Sequence, residues 1–419
     1  MALSTIFKFL YWGKKVNILV LTSLFPNNQQ PTFGIFVKER ILRVAKLCKI
    51  KVVAPVPWFP KIKFIKKYYF YSQILKEENI EGIDVLHPRF FILPKFFKCI
   101  DGILYFISII SEILRIKRCF NFDIIDCHWV YPDGFAAVLI GKLLKKPVVI
   151  TIRGPGVLTI PGYRIRRKLA LWSLKQANHI ITVCEAIRQE AIKLGISDEK
   201  ITTIPNGIDT QKFYPVDKIG ARERLNLPID KKIILSVGYL CERKGFHHII
   251  DAISMIIKIT GKKDFLLVIV GSSESGAEGN FKPNLERQIK DLKLVSYVYL
   301  AGHKPHHELY LWYNASDIFC LASSKEGWAN VIFEAIACGK PVVATNIWGT
   351  PEVIKSDEYG ILVDENSGEA IAKGILNALN KNWEQKKLVE YAQKNSWEEV
   401  AKNVVRIFQA TTSKLCSLT

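Results

Sequence analysis

SSKEGWANVIFEAIACGKPVVATNIWGTPEVI, residues 323–354, carries the clearest structural pattern in this chain of 419 residues. It runs from the end of a strand through a loop, a helix, a tight turn and a second strand to the start of another helix. Gly339 suits the left-handed residue that closes a helix, and Pro341 prevents the helix from continuing. Thr350 and Pro351 supply an N-cap and a proline in the first helical turn. The stretch therefore predicts strand, helix and strand in alternation.

Short apolar runs rich in β-branched residues alternate with longer amphipathic stretches along the whole chain. The first half contains VNILVLT, KIKVVAP, DIIDCHW, PVVITIR and HIITVC, and the second half contains KIILSVG, LLVIVGS, VYLAG, IFCLAS and PVVAT. Because apolar residues are continuous in these strands, we expect α/β sheets that are covered by helices on both faces, hence parallel and doubly wound. Such sheets bind ligands at the carboxyl ends of their strands.

The length of the chain and one interruption in its pattern predict two domains. A single hydrophobic core rarely grows beyond about 250–300 residues. Turn residues without apolar periodicity occupy residues 204–228, between the two series of strands. We therefore predict a Rossmann-like first domain over 1–215 and a second over 216–395. SWEEVAKNVVRIFQA has apolar residues at helical spacing, which predicts a C-terminal helix over 396–419.

The positive charge of the chain is concentrated in its first half. The formal net charge is +20, and residues 1–215 hold 33 Lys and Arg against 15 Asp and Glu, whereas residues 216–419 hold 26 against 24. Such one-sided charge suits an anionic membrane surface, a phosphate-linked acceptor or nucleic acid, and it is also compatible with a basic, merely solvated face. Charge alone does not choose among these partners.

Two apolar segments and the cysteines bear on location. The first fifteen residues are interrupted by Lys8, and IDGILYFISIISEI (residues 100–113) contains Asp101 and Glu112, so both are too short to span a membrane easily. We interpret residues 100–113 as a buried helix. The nine cysteines are an odd number without Cys-x-x-Cys spacing, which favours a reducing compartment and a cytoplasmic protein.

Candidate ligand groups cluster where the helix of residues 323–354 begins. The N–H groups of Gly327, Trp328 and Ala329, next to Asn330, can bind a diphosphate together with the helix dipole. Glu326 precedes that helix, and Glu334 lies inside it. Carboxylates do not bind phosphate, so these two are suited to accepting hydrogen bonds from sugar and ribose hydroxyls. Without the surrounding turn residues, two glutamates at this spacing would be interpreted as a solvated face.

A second candidate lies in SVGYLCERKGFHHIIDAI, residues 236–253, where a loop leads from a strand into a helix. Arg243 and Lys244 in that loop can face a departing diphosphate. Fixed positive charge stabilises a leaving group that gains negative charge in the transition state. Taken alone, a lysine and a glycine before a helix are more often ordinary loop residues.

In the first half, polar residues follow three predicted strands. Gly34, in a loop after the first strand, would permit close backbone approach to phosphates, although it is also compatible with a simple turn. His128 and Asp133 follow DIIDC, and Arg153 follows VVITI. We expect these three to line the same cleft, with two alternatives open: His128 as a structural residue and Arg153 paired with Asp133.

Several metal and phosphate motifs are absent from the sequence. There is no Asp-x-Asp, no HExxH and no GxxxxGK[ST], and ACGKP lacks the first glycine of a P-loop. The adjacent pairs His247-His248 and His306-His307 are expected to point apart. The sequence therefore predicts neither a bound metal ion nor a P-loop.

Taken together, these motifs resemble the family 4 retaining glycosyltransferases of GT-B fold. The resemblance rests on EGWANVIFE, continued by AIACGKPVVAT and GTPEVI, and is supported by PTFGIF, HWVYPDG, IPNGID, the Lys244-Gly245 loop and SWEEVA. It covers almost the whole chain and is strongest to teichuronic-acid and other surface-polysaccharide biosynthesis glycosyltransferases. It implies two Rossmann-like domains facing across a cleft, with the C-terminal helix returning to the first domain.

The resemblance also implies roles for matching residues. Glu326 would hold hydroxyls of the donor sugar, Glu334 the ribose, and Lys244 the diphosphate, while Gly34 would approach the phosphates from the first domain. The anomeric configuration would be retained, because the departing phosphate oxygen helps to deprotonate the acceptor hydroxyl on the same face. No protein nucleophile, metal or separate cofactor is then required.

Two positions depart from the family pattern. Tyr239 stands where many members have an arginine that helps to neutralise the diphosphate, and we expect Arg243 to substitute for it. Arg153 stands where the broader family often has a histidine followed by an acid near the transferred sugar, so we expect Arg153 to contact an anionic substrate group.

The sequence therefore predicts transfer of a hexosyl group from a nucleoside diphosphate sugar to a glycan or polyprenyl-linked acceptor. The donor would bind the second domain and the acceptor the basic first domain, with peripheral contact to an anionic membrane through WFPKIKFIKKYYFY (58–71) and YRIRRK (163–168). A GT-B-fold sugar-nucleotide epimerase or phosphorylase is the alternative enzyme, and a basic nucleic-acid-binding protein is the alternative without catalysis.

Overall fold

The computed structural model describes residues 15–93, 98–154, 156, 164–272 and 279–416. The chain divides into two compact units. The first unit comprises Met1–Asn206 together with Trp397–Thr419, and the second comprises Gly207–Ser396.

The first unit ends at Asn206, nine residues earlier than the boundary predicted at residue 215. Ile208 and Phe213 are almost completely buried in a core cluster of the second unit. Phe213 packs edge-on against Tyr313, with ring centroids 5.9 Å apart. Residues 207–215 therefore belong to the second unit, because burying these apolar side chains outweighs the turn residues around them.

The first unit is built on a twisted, largely parallel sheet. Its described strands have the order β10-β9-β8-β7-β1-β2-β5-β4, and each neighbouring pair is parallel except β4 and β5. A separate two-residue ladder joins β3 and β6. In chain order the elements are β1 Asn17–Leu21, α1 Ile35–Ala45, β2 Lys49–Val53, β3 Val56–Pro57, α2 Lys66–Ser72, β4 Glu77–Ile80, β5 Ile83–Leu86, β6 Arg89–Phe90, α3 Asp101–Cys119, β7 Ile124–Cys127, α4 Phe135–Leu144, β8 Val148–Ile152, α5 Arg164–Gln176, β9 His179–Thr182, α6 Glu185–Lys193 and β10 Ile201–Thr203.

Helix α3 confirms the helix predicted at residues 100–113 but corrects its burial. The helix is present, but only one side of it is buried, through residues such as Tyr105 and Ile109. Ile103, Ile107 and Leu114 are 44%, 61% and 41% exposed. The sequence pattern indicated burial on both sides because the helix is apolar on both sides, which is typical of buried helices.

The second unit has the strand order β13-β12-β11-β14-β15-β16 among its described residues, all parallel. Numbered along this unit, that is the 3-2-1-4-5-6 order of dinucleotide-binding folds, whose ligands bind where the strand order reverses. The elements are α7 Lys218–Arg224, β11 Lys232–Val237, α8 Phe246–Thr260, β12 Phe265–Val270, α9 Lys282–Asp291, β13 Val298–Gly302, α10 Leu309–Ala315, β14 Ile318–Leu321, α11 Asn330–Ala337, β15 Val342–Thr345, α12 Thr350–Val353, β16 Gly360–Val363, α13 Gly368–Asn380 and α14 Gln385–Gln393.

The last helix, α15 Trp397–Cys416, returns to the first unit, as predicted. Its buried residues Trp397, Ala401, Val404 and Phe408 join a core cluster that also holds residues of α1, β1 and β2. Among the described residues, no helix combines the length and the apolar character that crossing a membrane requires.

Candidate functional site

The candidate donor site lies at the carboxyl edge of the second unit's sheet, on the loops that follow the adjacent strands β11 and β14. The β11 loop carries Arg243, Lys244 and Gly245 into α8. Gly245 has φ +67°, and a Cβ atom placed on it would lie 1.8 Å from the backbone oxygen of Ala322. Only glycine therefore lets this loop approach the β14 loop closely enough for their side chains to meet.

Glu326 is the buried centre of this site. Its Oε1 accepts hydrogen bonds from Lys244 Nζ at 2.5 Å, Ser323 Oγ at 2.8 Å and Arg243 Nη1 at 3.3 Å. Oε2 accepts no hydrogen bond from the residues that the structure describes. The structure thus brings together three of the predicted residues and leaves one carboxylate oxygen available to a ligand.

The charge of Glu326 follows from the same contacts. Burial alone would raise the pKa of its carboxyl group, but the positive charges of Lys244 and Arg243 outweigh burial and hold the pKa below its usual value. Glu326 is therefore ionised at neutral pH and can only accept hydrogen bonds, as a group that binds sugar hydroxyls must.

Backbone donors lie beside Glu326. Gly327, Trp328 and Ala329 precede α11, and within the described part of the chain their N–H groups donate no hydrogen bond. The N–H of Asn330 donates to the backbone oxygen of Trp328 at 3.1 Å. The three predicted N–H groups, those of residues 327–329, are therefore placed to receive an anion at the helix N-terminus.

Glu334 lies one helix turn inside α11 and is already held by two side chains. Its Oε2 accepts from the buried Tyr313 hydroxyl at 2.8 Å, and its Oε1 lies 3.3 Å from His306 Nε2. Burial, and then the charge of Glu334, raise the pKa of Tyr313 well above its usual value, so Tyr313 remains a proton donor. This pair fixes the carboxylate without exhausting its lone pairs.

In the first unit, His128 belongs to a buried polar cluster at the carboxyl ends of β7 and β8. Arg40 donates to Asp126 at 2.9 and 3.0 Å and to Thr151 at 3.1 Å. His128 Nε2 lies 3.0 Å from Asp126 Oδ2. Burial, reinforced by the charge of Arg40, lowers the pKa of His128 to about 3. His128 is therefore a neutral link in this cluster.

Arg153 continues the cluster beyond His128. Its Nη2 and Nε lie 2.9 and 3.2 Å from His128 Nδ1, and its Nη1 donates to Asn206 at 2.8 Å. Its guanidinium also lies over the Phe36 ring, at 5.2 Å. Burial, and then the charge of Arg40, lower the pKa of Arg153, but an arginine side chain stays protonated in proteins. With His128 neutral, Asp126 is the one anion among the described residues of the hydrogen-bonded cluster. The cluster carries a net positive charge.

Asp133 has a different position from the one predicted. It accepts from the Ser23 N–H at 2.6 Å and from the Ser23 hydroxyl at 2.9 Å, and its side chain is fully buried. The alternative pairing of Arg153 with Asp133 is therefore wrong, because both partners are engaged elsewhere. Burial raises the pKa of Asp133 to about 7 despite the bonds from Ser23. These hydrogen bonds hold the loop after β1 in place, so the Asp133 carboxyl group does not face a ligand.

Gly34 ends the same loop and has φ +64°. A Cβ atom there would lie 2.6 Å from the backbone oxygen of Leu24. Packing within the loop therefore accounts for the glycine, and its predicted approach to phosphates stays a prediction.

Sequence reasoning missed the residues that orient the predicted ones. Ser323, Tyr313 and His306 hold the two glutamates, and Arg40 and Asp126 hold His128. Only Asp126 had a signal in the sequence, as an acid inside an apolar strand. Ser323 lies only three residues before Glu326, but a serine at that spacing is not distinctive. Tyr313, His306 and Arg40 lie 21, 28 and 86 residues from their partners, so their spacing reveals nothing.

The described residues contain no group of three or more His, Cys, Asp or Glu side chains arranged to hold a metal ion. The rings of His247 and His248 do not point apart as predicted, since their centroids are 3.9 Å apart. Burial, and then His248, lower the pKa of His247, so this pair is a contact between neutral rings.

A 3-2-1-4-5-6 parallel sheet with N–H groups, cations and a carboxylate at its carboxyl edge defines an α/β protein built to bind a phosphorylated, hydroxyl-rich ligand. Family models identify the class further. Residues 217–395 match the model described as "Glycosyl transferases group 1", and residues 77–212 match "Glycosyltransferase Family 4". The chain belongs to the family 4-like glycosyltransferases of GT-B fold.

Individual proteins agree with this assignment. The chain is 26% identical over 369 residues to TuaC of Bacillus subtilis, which is described as a candidate teichuronic acid biosynthesis glycosyltransferase, covering 86% of this chain and 88% of that one. Sucrose-phosphate synthase from Thermosynechococcus elongatus superimposes with a TM-score of 0.76 at 19% identity, covering 96% of this chain and all of that one. Anabaena HepE, solved with UDP, gives 0.70 at 17% identity, covering 95% and 100%.

Proposed function

We propose that this glycosyltransferase transfers a hexosyl group, with retention of configuration, from a nucleoside diphosphate sugar to a glycan or polyprenyl-linked acceptor of cell-surface polysaccharide biosynthesis. The donor assignment rests on the contacts of the Glu326 carboxylate. One oxygen of its carboxylate is fixed by Lys244, Arg243 and Ser323, and the other accepts nothing from the described residues. A sugar hydroxyl is the donor that such an oxygen requires.

The neighbouring groups fit the other parts of a nucleotide sugar. Lys244 and Arg243 supply positive charge for the diphosphate as its leaving oxygen becomes negative, and the N–H groups of residues 327–329 supply neutral donors. Glu334, oriented by Tyr313, is suited to the two ribose hydroxyls. None of these three roles requires a metal ion, so we propose catalysis without metal or a separate cofactor.

Retention follows if the donor phosphate takes the acceptor's proton. The bond between the anomeric carbon and the phosphate oxygen breaks, the acceptor oxygen bonds to the same face of that carbon, and its proton passes to the departing phosphate oxygen. Glu326 contributes hydrogen bonding, because Lys244 and Arg243 keep it anionic. The chain then needs no residue that becomes covalently bound to the sugar.

The first unit is proposed as the acceptor-binding part. It holds almost all of the chain's excess positive charge, and its buried cluster places Arg153 at the carboxyl end of β8. A phosphate-linked or otherwise anionic acceptor suits both features. The same charge supports a cytoplasmic protein in peripheral contact with an anionic membrane. The scattered cysteines, whose described side chains are free thiols, also favour the cytoplasm.

Nucleotide binding is the first test. Calorimetry in the presence of EDTA would compare UDP, GDP, ADP and their common sugar conjugates; UDP is a natural first ligand because HepE was solved with it. We expect selective binding to the wild type and weakened binding to Lys244→Ala and Glu334→Ala. Lys262→Ala, which removes an exposed lysine of the same unit, serves as the control. Absence of binding to every nucleotide would overturn the donor assignment.

Product analysis is the second test. Incubation of the bound nucleotide sugar with an extract of lipid-linked glycans should yield a glycoside of unchanged anomeric configuration by NMR. Release of an epimerised sugar, or turnover only with inorganic phosphate, would instead establish an epimerase or a phosphorylase. Binding to nucleic acid with no nucleotide-sugar turnover would identify the alternative without catalysis.

A further inference from the structure

The outward side of α3 is an apolar surface of the first unit. Ile103, Ile107 and Leu114 follow one another at intervals of four and seven residues, which places them on one side of the helix. They are 44%, 61% and 41% exposed, while the opposite side is buried through Tyr105 and Ile113. An amphipathic helix of a folded unit normally shows polar residues on its outward side, so this side differs from a solvated one.

Two aromatic side chains extend this surface. The N–H of Phe91 donates to Ser108 Oγ at 3.4 Å, which fixes the segment after β6 beside α3. The Phe91 ring lies 5.3 Å from the Trp58 ring. Phe91 and Trp58 are 55% and 46% exposed. We call Trp58, Phe91, Ile103, Ile107 and Leu114 the α3 surface.

Two basic segments neighbour the α3 surface. Residues 58–76, which begin with Trp58, contain five lysines and no acid, and Lys61 and Lys63 are exposed. Helix α5 contacts residues 98–100, directly before α3, and Arg164 and Arg167 in its first turn are exposed.

The acids of α3 are neutralised locally. Asp101 is buried and lies 3.6 Å from Lys98 Nζ. Glu112 accepts from Arg115 Nε at 3.1 Å. Both acids of the helix are therefore paired with a base, and Arg115 also lies 3.5 Å from the exposed Glu77 of β4.

We propose that the α3 surface docks on an anionic lipid bilayer, with its isoleucine, leucine and aromatic side chains at the headgroup level and the flanking lysines and arginines on acidic lipids. The inference deepens the proposed function, since a polyprenyl-linked acceptor lies in such a bilayer. Apolar side chains gain from leaving water, and basic ones gain from the negative surface potential. Tryptophan in particular has an apolar body and a polar edge that suit this interface.

A second copy of the chain is the competing occupant of an apolar surface. The charge argues against it, because pairing this surface with itself would bring two sets of flanking cations together. An anionic bilayer instead complements both the apolar centre and the basic rim.

Vesicle flotation of the full chain tests the proposal. The wild type is expected to float with vesicles of 30% phosphatidylglycerol in phosphatidylcholine, to remain unbound with phosphatidylcholine alone, and to bind less as salt is raised. Ile103→Gln with Ile107→Gln should lower the partition coefficient about tenfold, since two exposed apolar side chains leave the interface. Lys61→Gln with Lys63→Gln should lower it by about fivefold per lysine.

The matched control is Ile259→Gln with Val295→Gln, which removes two side chains of the second unit that are both 70% exposed and should leave flotation unchanged. Absence of wild-type flotation would overturn the proposal, as would an equal loss in this control. A concentration-dependent dimer that the Ile103 and Ile107 changes dissociate would overturn it in favour of a second copy. Nucleotide affinity of the same preparations separates this outcome from failure of the proposed function.

Discussion

Glu326 and Lys244 illustrate how a single ion pair sets the chemistry of the donor site. Lys244 holds one carboxylate oxygen at 2.5 Å, and Glu326 in return keeps the ammonium group fixed at the edge of the sheet. A preorganised cation of this kind costs no rearrangement when negative charge develops on a leaving group.

Removal of that cation should therefore affect turnover more than binding. We expect Lys244→Ala to lower kcat by about 10²–10³, the range seen when one preorganised stabilising group is removed. Steady-state kinetics with saturating donor would measure this, with Lys262→Ala as the control. A Lys244→Ala enzyme with normal kcat and a raised KM alone would show that the lysine binds ground state and transition state equally.

Arg153 carries a different prediction at the residue scale. Its guanidinium is held by His128 and Asn206, and the surrounding cluster has a net positive charge. We expect Arg153→Gln to raise the acceptor KM about 10- to 100-fold, because the variant loses a hydrogen bond to a charged group. Nucleotide affinity should not change. Paired acceptor titrations and nucleotide calorimetry would measure both quantities. Equal weakening of nucleotide binding would contradict the assignment of Arg153 to the acceptor.

At the scale of elements, the turn between α11 and β15 contains a buried lysine whose positive charge is disfavoured by burial. Lys340 lies between α11 and β15 and is 8% exposed. Burial, and then the charge of Lys218, lower its pKa to about 8. The unfolded chain therefore binds more protons than the folded one between about pH 8 and the ordinary lysine pKa near 10.4. Stability should rise with pH across that window.

Lys340→Met should remove this dependence. Below pH 8 the variant should be more stable than the wild type, with an upper bound on the order of 3 kcal/mol at 1.36 kcal/mol per pKa unit, and the difference should vanish near pH 10.5. Urea unfolding of both proteins at pH 7, 8.5 and 10 would test this. A difference independent of pH would mean that packing, and not the charge, distinguishes them.

The elements that the sequence predicted well are those with two buried faces. β7, β8, β11 and β14 are mostly apolar and buried almost throughout, and such runs can be recognised in the sequence without knowledge of the tertiary structure. The edge strand β4 has the half-exposed sequence EENI and pairs antiparallel with β5. Its polar residues resemble a loop, so only the pairing itself reveals the strand.

The candidate site also contains residues that the local sequence predicts and residues that it does not. Glu326 and Lys244 were predicted because loop residues before helices follow turn chemistry that is local in sequence. Tyr313 and Arg40 were missed because the first lies 21 residues from Glu334 and the second 86 residues from Asp126. Those partners meet only through sheet order, which spacing along the chain does not encode.

At the scale of the whole molecule, the first unit is not continuous in sequence, because the last helix of the chain completes it. Trp397, Val404 and Phe408 of α15 are buried with Ile41 of α1. The second unit, Gly207–Ser396, is continuous in sequence and has core clusters of its own. Folding of the first unit therefore depends on residues made last, whereas folding of the second does not.

A chain that ends at Ser396 should separate the two units. Burial of one large apolar side chain contributes about 1.5–3 kcal/mol, so loss of Trp397, Val404 and Phe408 removes a sum comparable with the 5–15 kcal/mol that stabilises a typical domain. Hydrogen exchange should show lost protection in β1 and β2 and unchanged protection in β11 and β12, with nucleotide binding retained. A chain that ends at Cys416 is the control and should match the wild type. Equal loss of protection in both sheets would show that the two units fold as one.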